Sequence, residues 1–127
     1  MKKLFVLFAA ALALTACQSK PNRPSLPGPS AHAQSVSALQ RINSSAYACW
    51  RADKAFKAYG IIPELDTTGT PRILIIPKGK PQSLPKLVIT AVGKSVQTFG
   101  PLAQSALAPR INADVARWSA GDAGCSA

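Results

Sequence analysis

The chain has 127 residues, with fifteen Lys and Arg against five Asp and Glu, one His, three Cys and a formal net charge of +10. So few carboxylates and a single histidine leave little to build an acid–base or metal-centred enzyme from, and the excess of cations points to anionic partners.

The chain opens with the basic Met1-Lys2-Lys3, followed by the apolar run "LFVLFAAALALTA" over 4–16. That run is shorter than the about 20 apolar residues a membrane-crossing helix needs. A basic start, an apolar centre and small residues at the end form the layout of a cleaved secretory signal peptide. It closes on Leu14-Thr15-Ala16-Cys17, which resembles the lipobox of bacterial lipoproteins. The resemblance implies cleavage before Cys17, a diacylglycerol on its thiol and an acyl chain such as palmitate on its amine. No other cofactor is implied. Two or three chains anchor stably where one gives only marginal binding. By the family's sorting rule, Gln18 in place of aspartate directs the protein to the outer membrane, facing the periplasm, with the inner membrane as the alternative. A plain signal peptide with a chance cysteine is the competing interpretation.

Loss of residues 1–16 removes two of the fifteen basic residues and none of the acidic ones, so 111 residues remain, at +8. The anionic surfaces outside the inner membrane are lipopolysaccharide phosphates, peptidoglycan carboxylates, acidic protein patches and DNA. With Cys17 committed to lipid, Cys49 and Cys125 form an even pair in an oxidising compartment, where a disulfide is expected. Closing a loop of roughly 75 residues is worth about 4–4.7 kcal/mol on the loop-entropy model. Two cysteines, with His32 far off in a proline-rich stretch, fall short of a four-ligand zinc site.

Residues 18–34, "QSKPNRPSLPGPSAHAQ", are too poor in large apolar residues to order themselves and too proline-rich to coil up. They read as a tether that would span roughly 50 Å if fully extended. Residues 35–127 form one small domain. Val36, Leu39, Ile42, Ala46, Cys49, Trp50, Phe56 and Tyr59 recur at helical spacing up to Gly60, with Asn43-Ser44-Ser45 as a candidate break and Ser45 as a restarting cap. Strands are expected at "RILII" (72–76), "LVITAV" (87–92) and "SVQTF" (95–99), the last two flanking Gly93-Lys94, a pair suited to a type II′ hairpin turn. Pro101 can open a helix, Pro109 should kink or restart it, and Ile111, Val115 and Trp118 continue its apolar stripe to Gly121 and Gly124. The expected fold is α+β: a three-stranded antiparallel meander between an N-terminal and a C-terminal helix, stapled by one disulfide.

No catalytic set emerges. Asp53 stands four residues before Lys57, the spacing of a helical ion pair. Glu64 and Asp66 suit a turn, with Asp66 bonding its own backbone, better than a cleaving carboxylate pair. No nucleophile elbow, phosphate loop or metal-spaced cluster is present, and the chain reads as a non-enzyme. The cations are more informative. Lys78, Lys80 and Lys86 lie in the proline-stiffened "PKGKPQSLPK", and Arg51, Lys54 and Lys57 follow one another on the first helix. Lys94 belongs to the opposite end of a meander. Either group of three could meet an anionic partner, although a small soluble domain also simply wears its lysines outward. Trp50 and Trp118 are spaced as core residues near the bridge and not as a stacking platform.

A first helix carrying "CW", a small sheet and a closing helix is similar in element order to the C-terminal domains of the TonB and TolA type. The resemblance implies docking by strand addition, with the proline-flanked "RILII" as the edge. The expected function is thus a non-catalytic lipoprotein that binds an envelope protein or assembly. The alternative is an anionic envelope polymer, lipopolysaccharide or peptidoglycan, or else DNA, held through the basic residues.

Overall fold

The computed structural model describes residues 28–126. The expected signal peptide, Cys17 and most of the tether lie outside the described residues. Helix α1 runs Ala31–Cys49, and Ser30 caps it by accepting from the Ala33 amide at 3.1 Å. That cap starts the helix within the segment read as tether, so residues 31–34 belong to the domain and not to a linker. Ser35, Ala38, Leu39, Ile42, Ser45, Ala46 and Cys49 are buried along one stripe. Asn43-Ser44-Ser45 does not interrupt the helix, because Ser45 is a small side chain on its inward face and fits the stripe without a gap.

α1 ends at Cys49, well before Gly60, the end expected from the periodicity. Beyond it the chain makes successive tight turns, in which the amides of Asp53, Phe56 and Tyr59 donate to the carbonyls of Trp50, Asp53 and Phe56. Asp53 Oδ1 accepts from the Ala55 amide at 2.8 Å and stabilises the middle turn. The helical spacing of Phe56 and Tyr59 therefore marks residues that reach the core from turns, not from a continuing helix.

Four strands follow: β1 Tyr59–Glu64, β2 Arg72–Pro77, β3 Leu87–Val92 and β4 Ser95–Phe99. They form one antiparallel meander in the order β1-β2-β3-β4. The expected three strands stand at their expected places, and β1 is the addition. Its "YGIIPE" carries a glycine and a proline, both poor strand formers, which hid it from a propensity reading. The Lys78 amide donates to Ala58 O at 2.9 Å. With the register Tyr59↔Pro77, this turns the amide positions of Tyr59, Ile61 and Pro63 outward. Proline can occupy an outer edge because no donor is needed there.

One face of the sheet packs under the helices. Ile73, Ile75, Leu87, Ile89 and Ala91 join Leu39, Ile42, Ala46, Trp50, Phe56, Ile111, Val115 and Trp118 in a single core. Gly93 turns the β3–β4 hairpin at φ +62°, as a type II′ turn requires, and its amide donates to Ser35 Oγ of α1 at 2.8 Å. After β4, Gly100 at φ +107° leads into a one-turn 3₁₀ helix, Pro101–Gln104. Helix α2, Ala108–Ser119, then carries Pro109 in its first turn, so this proline begins a helix and kinks none. Gly121 at φ +102° reverses the chain, and the tail returns to α1, where Cys125 is bonded to Cys49 with Cα atoms 5.4 Å apart. Trp50 and Trp118 are both buried: Trp50 stacks on Phe56 at 4.6 Å between centroids and meets Trp118 at 5.1 Å. Such aromatic pairs contribute about 0.5–1.5 kcal/mol each beyond their buried area.

Candidate functional site: a basic pole

A meander has two ends. The turns after α1 lead into β1 at one of them, and the β2–β3 loop and the exit of β4 share it. The tie is direct: besides the Lys78–Ala58 bond, the Leu102 amide donates to Lys86 O at 2.9 Å, joining the β2–β3 loop to the start of the 3₁₀ helix. The loop itself is held by the Lys80 amide donating to Pro77 O and the Ser83 amide to Lys80 O. Two groups that are separate in sequence, Arg51, Lys54, Lys57 and Lys78, Lys80, Lys86, are thereby carried at the same pole of the domain. The first three stand on the turns beyond α1, not on the helix. All but the half-buried Lys86 are exposed. Arg51 lies over the Tyr47 ring, 4.8 Å from its centroid, an arrangement worth about 0.5–1 kcal/mol when exposed. Lys94 sits in the hairpin turn at the opposite end, beside the start of α1.

Four of the five carboxylates pair with arginines outside these two groups. Glu64 pairs with Arg72 at 2.5 Å, so it is neither free nor coupled to Asp66. Asp53 pairs with Arg110 of α2 at 2.5 Å and not with Lys57. The expected Asp53–Lys57 pair fails because the helix that would set its spacing has already ended. Arg110 donates to Asp53 and holds that carboxyl below its ordinary pKa, aided by the Ala55 amide, while Asp53 raises the pKa of Arg110. Asp66 makes no backbone turn bond; in that loop Thr67 Oγ1 donates to Gly69 O instead. Among the described residues, none of the six cations of the pole has a carboxylate within ion-pair distance. Their field is therefore uncompensated at short range.

Asp114 stands apart as a fully buried carboxylate. Trp50 Nε1 donates to its Oδ2 at 2.9 Å, and Arg117 donates to its Oδ1 at 2.6 Å, with Ser126 Oγ on the same oxygen. Burial alone would push its pKa up, but the three hydrogen bonds prevail and hold it below the ordinary value. Both oxygens are engaged, so the group ties α2, Trp50 and the C-terminal tail together. Arg117 and Trp118 Nε1 both donate to Gly124 O, completing the clasp on the tail. Arg110-x3-Asp114-x2-Arg117 was a legible signal in the sequence, since those spacings bring the three side chains onto one helix face.

A hollow of about 570 Å³ lies between α1 and the end of α2. It is lined by Ala33, Ser37, Ala38, Arg41, Lys94 and Ser119 among others and offers no carboxylate, cysteine or histidine. Arg41 is already used there, donating to Ser119 O at 2.8 and 3.2 Å and to Ser37 Oγ. Among the described residues no three His, Cys, Asp or Glu side chains gather as a metal site would require, and no helix is long and apolar enough to cross a membrane.

The strand nominated as a docking edge is not one. "RILII" is β2, bonded on both sides, and the edges are β1 and β4. In β1, the outward Tyr59 amide is taken by Phe56 O and Pro63 has none, so only Ile61 presents an outward donor. Comparison with family models, curated proteins and solved structures finds no match to this chain.

Proposed function

We propose that the chain is a non-catalytic, lipid-anchored module of the bacterial cell envelope that binds an acidic envelope protein or assembly through its basic pole. The observation carrying this reading is the convergence of six cations, none with a carboxylate partner among the described residues. The placement of that pole supports it further. α1 begins beside the β3–β4 turn, as the Ser35–Gly93 bond shows, so a tether from Cys17 joins the domain at the end opposite the cations. A lipidated Cys17 holds the protein on the periplasmic face of the outer membrane and presents the pole away from it. Lysines dominate the cluster, and each acts as a point charge without a fixed fork. That chemistry also suits a repeating anionic polymer such as lipopolysaccharide or peptidoglycan, and this is the second reading.

A photo-crosslinker replacing Lys80 in the full-length lipidated protein tests both. An identified protein adduct that disappears on Lys78→Glu with Lys86→Glu supports the first reading. A polydisperse lipopolysaccharide or glycan adduct, weakening steeply between 50 and 500 mM salt because exposed charges are screened, supports the second. Adducts from Lys94 but none from Lys80 would overturn the assignment of the pole.

A further inference from the structure

A second, smaller group of cations stands at the tether end of the domain, in the hollow between α1 and the end of α2. Its volume of about 570 Å³ falls among those of small-molecule sites, which run from about 300 to 1,000 Å³. Much of the wall is apolar, from Pro29, Ala33, Ala38 and Ala120, and Arg41 and Lys94 are its charged members.

Arg41 is held in place by the fold itself. Its Nε and Nη2 donate to Ser119 O at 3.2 and 2.8 Å, and its Nη1 donates to Ser37 Oγ at 2.9 Å. Three of its five N–H groups are thus engaged. One remains on each terminal nitrogen, a pair suited to two oxygens of one phosphate or carboxylate. Lys94, exposed in the β3–β4 turn, adds a second positive charge. Among the described residues neither cation has a carboxylate within ion-pair distance. Asp122, close in sequence to the end of α2, reaches Arg117 at 4.0 Å and accepts from the Gly124 amide at 3.0 Å. The helix dipoles do not change the sign: about half a positive charge at the start of α1 cancels about half a negative charge at the end of α2. A brace for α2 would account for Arg41 on Ser119, but not for a second unpaired cation beside an apolar wall.

What reaches this hollow follows from where the chain enters it. Pro29 is part of its wall and stands twelve residues after Cys17, so a lipidated Cys17 keeps it within about 43 Å of the membrane even at full extension. Tethering at that range gives an effective concentration of about millimolar, enough for a weak headgroup contact to be occupied. We propose that the hollow binds an anionic phospholipid of the membrane that holds Cys17, its phosphate on Arg41 and Lys94 and its glycerol and first methylenes against Ala33, Ala38 and Ala120. A zwitterionic lipid fits less well, because its headgroup brings a cation to the same two cations. The inference rests on the lipid-anchored reading above and adds a second contact with the membrane, one that keeps the basic pole pointing away from it.

The test places the full-length lipidated protein in phosphatidylcholine vesicles containing a photoactivatable phosphatidylglycerol and maps the adducts. Labelling is expected at residues 29–41 and 119–120, falling about tenfold on Arg41→Gln as a charge-assisted contact is lost. Because Arg41 also braces α2, Ala33→Glu is the second variant. It sets a glutamate three residues after the Ser30 cap, where it favours the helix, yet puts a negative charge in the wall of the hollow. It should lower labelling as much as Arg41→Gln does without lowering Tm, whereas Lys54→Glu at the pole should leave labelling unchanged. Labelling spread over the whole surface, or surviving Ala33→Glu, overturns the proposal. So does full competition by millimolar inorganic phosphate, which would make the ligand a free anion. Titration of the Cys17→Ser protein with soluble dihexanoyl phosphatidylglycerol separates the hollow from the anchor. Amide shifts at Ala33, Lys94 and Ser119 are expected in its nuclear magnetic resonance spectrum, and their absence overturns the hollow while leaving the anchor standing.

Discussion

Asp114→Ala should be among the most damaging single changes outside the apolar core. The carboxylate is fully buried and accepts from Trp50 Nε1, Arg117 and Ser126. Removing it leaves the buried indole N–H without a partner, a penalty of about 1–3 kcal/mol. It also breaks a buried charge pair, an effect of about 3–5 kcal/mol when both members are enclosed. Arg117 is about one-third exposed (34 %), so it can regain water, which takes the expected total below the sum of the two lower bounds, to about 3 kcal/mol. Asp114→Asn keeps an acceptor for Trp50 but turns an amide donor toward Arg117, and should cost about 1–2 kcal/mol. Urea unfolding followed by tryptophan fluorescence reads both, since Trp50 and Trp118 lie in the affected core. With an m-value of about 1–3 kcal/mol/M, the alanine variant should unfold at a midpoint lower by roughly 1–3 M. The effect has a pH signature. Because the folded-state pKa of Asp114 is depressed, its contribution is complete above the unfolded value of about 3.9 and is lost as pH falls through the folded value. The gap between wild type and Asp114→Asn should therefore be constant from pH 5 to 8 and narrow only below about pH 4. An alanine variant costing less than about 1 kcal/mol, or a gap that changes near neutral pH, would refute the reasoning.

Reducing the Cys49–Cys125 bond, which spans a sequence separation of 76, should cost about 4.5 kcal/mol on the loop-entropy model. Calorimetry with and without reductant should show Tm falling by roughly 20 °C for a domain of this size. A fall of under about 5 °C would mean that Asp114, Arg117 and Trp118 alone hold the tail. Gly100→Ala should cost about 2–4 kcal/mol, since its φ is +107° and a Cβ there would stand 2.9 Å from Lys86 O. The same substitution at Gly69, which has open space around it, is the control and should leave the urea midpoint within about 0.5 kcal/mol. Cys17→Ser should abolish palmitate labelling and move the protein from the membrane to the soluble fraction; a variant that stays membrane-bound would remove the lipid anchor from the proposed function.

Local pattern was enough for much of the fold. β2, β3 and β4 begin at Arg72, Leu87 and Ser95, where β-branched runs bounded by Pro71, Pro85 and Gly93 place them, because strand propensity and turn chemistry are properties of a few adjacent residues. The cysteine pair and the burial of both tryptophans were legible for a similar reason: an even pair of thiols and an apolar helical stripe each admit few alternatives. β1 was not legible, because Gly60 and Pro63 are tolerated only at an edge, and being an edge depends on a neighbour ten or more residues away. The ion pairs were misread for the same cause: Asp53 meets Arg110, 57 residues distant, only once α2 folds back across the turns. The basic pole belongs wholly to the tertiary level. Sequence places three cations after α1 and three between β2 and β3, but only an antiparallel β1–β2 hairpin returns the chain so that Lys78 stands opposite Ala58 and the two groups share one end of the sheet. Charge type is written residue by residue, whereas the field of a charge cluster depends on distances in space, and those are set by strand pairing.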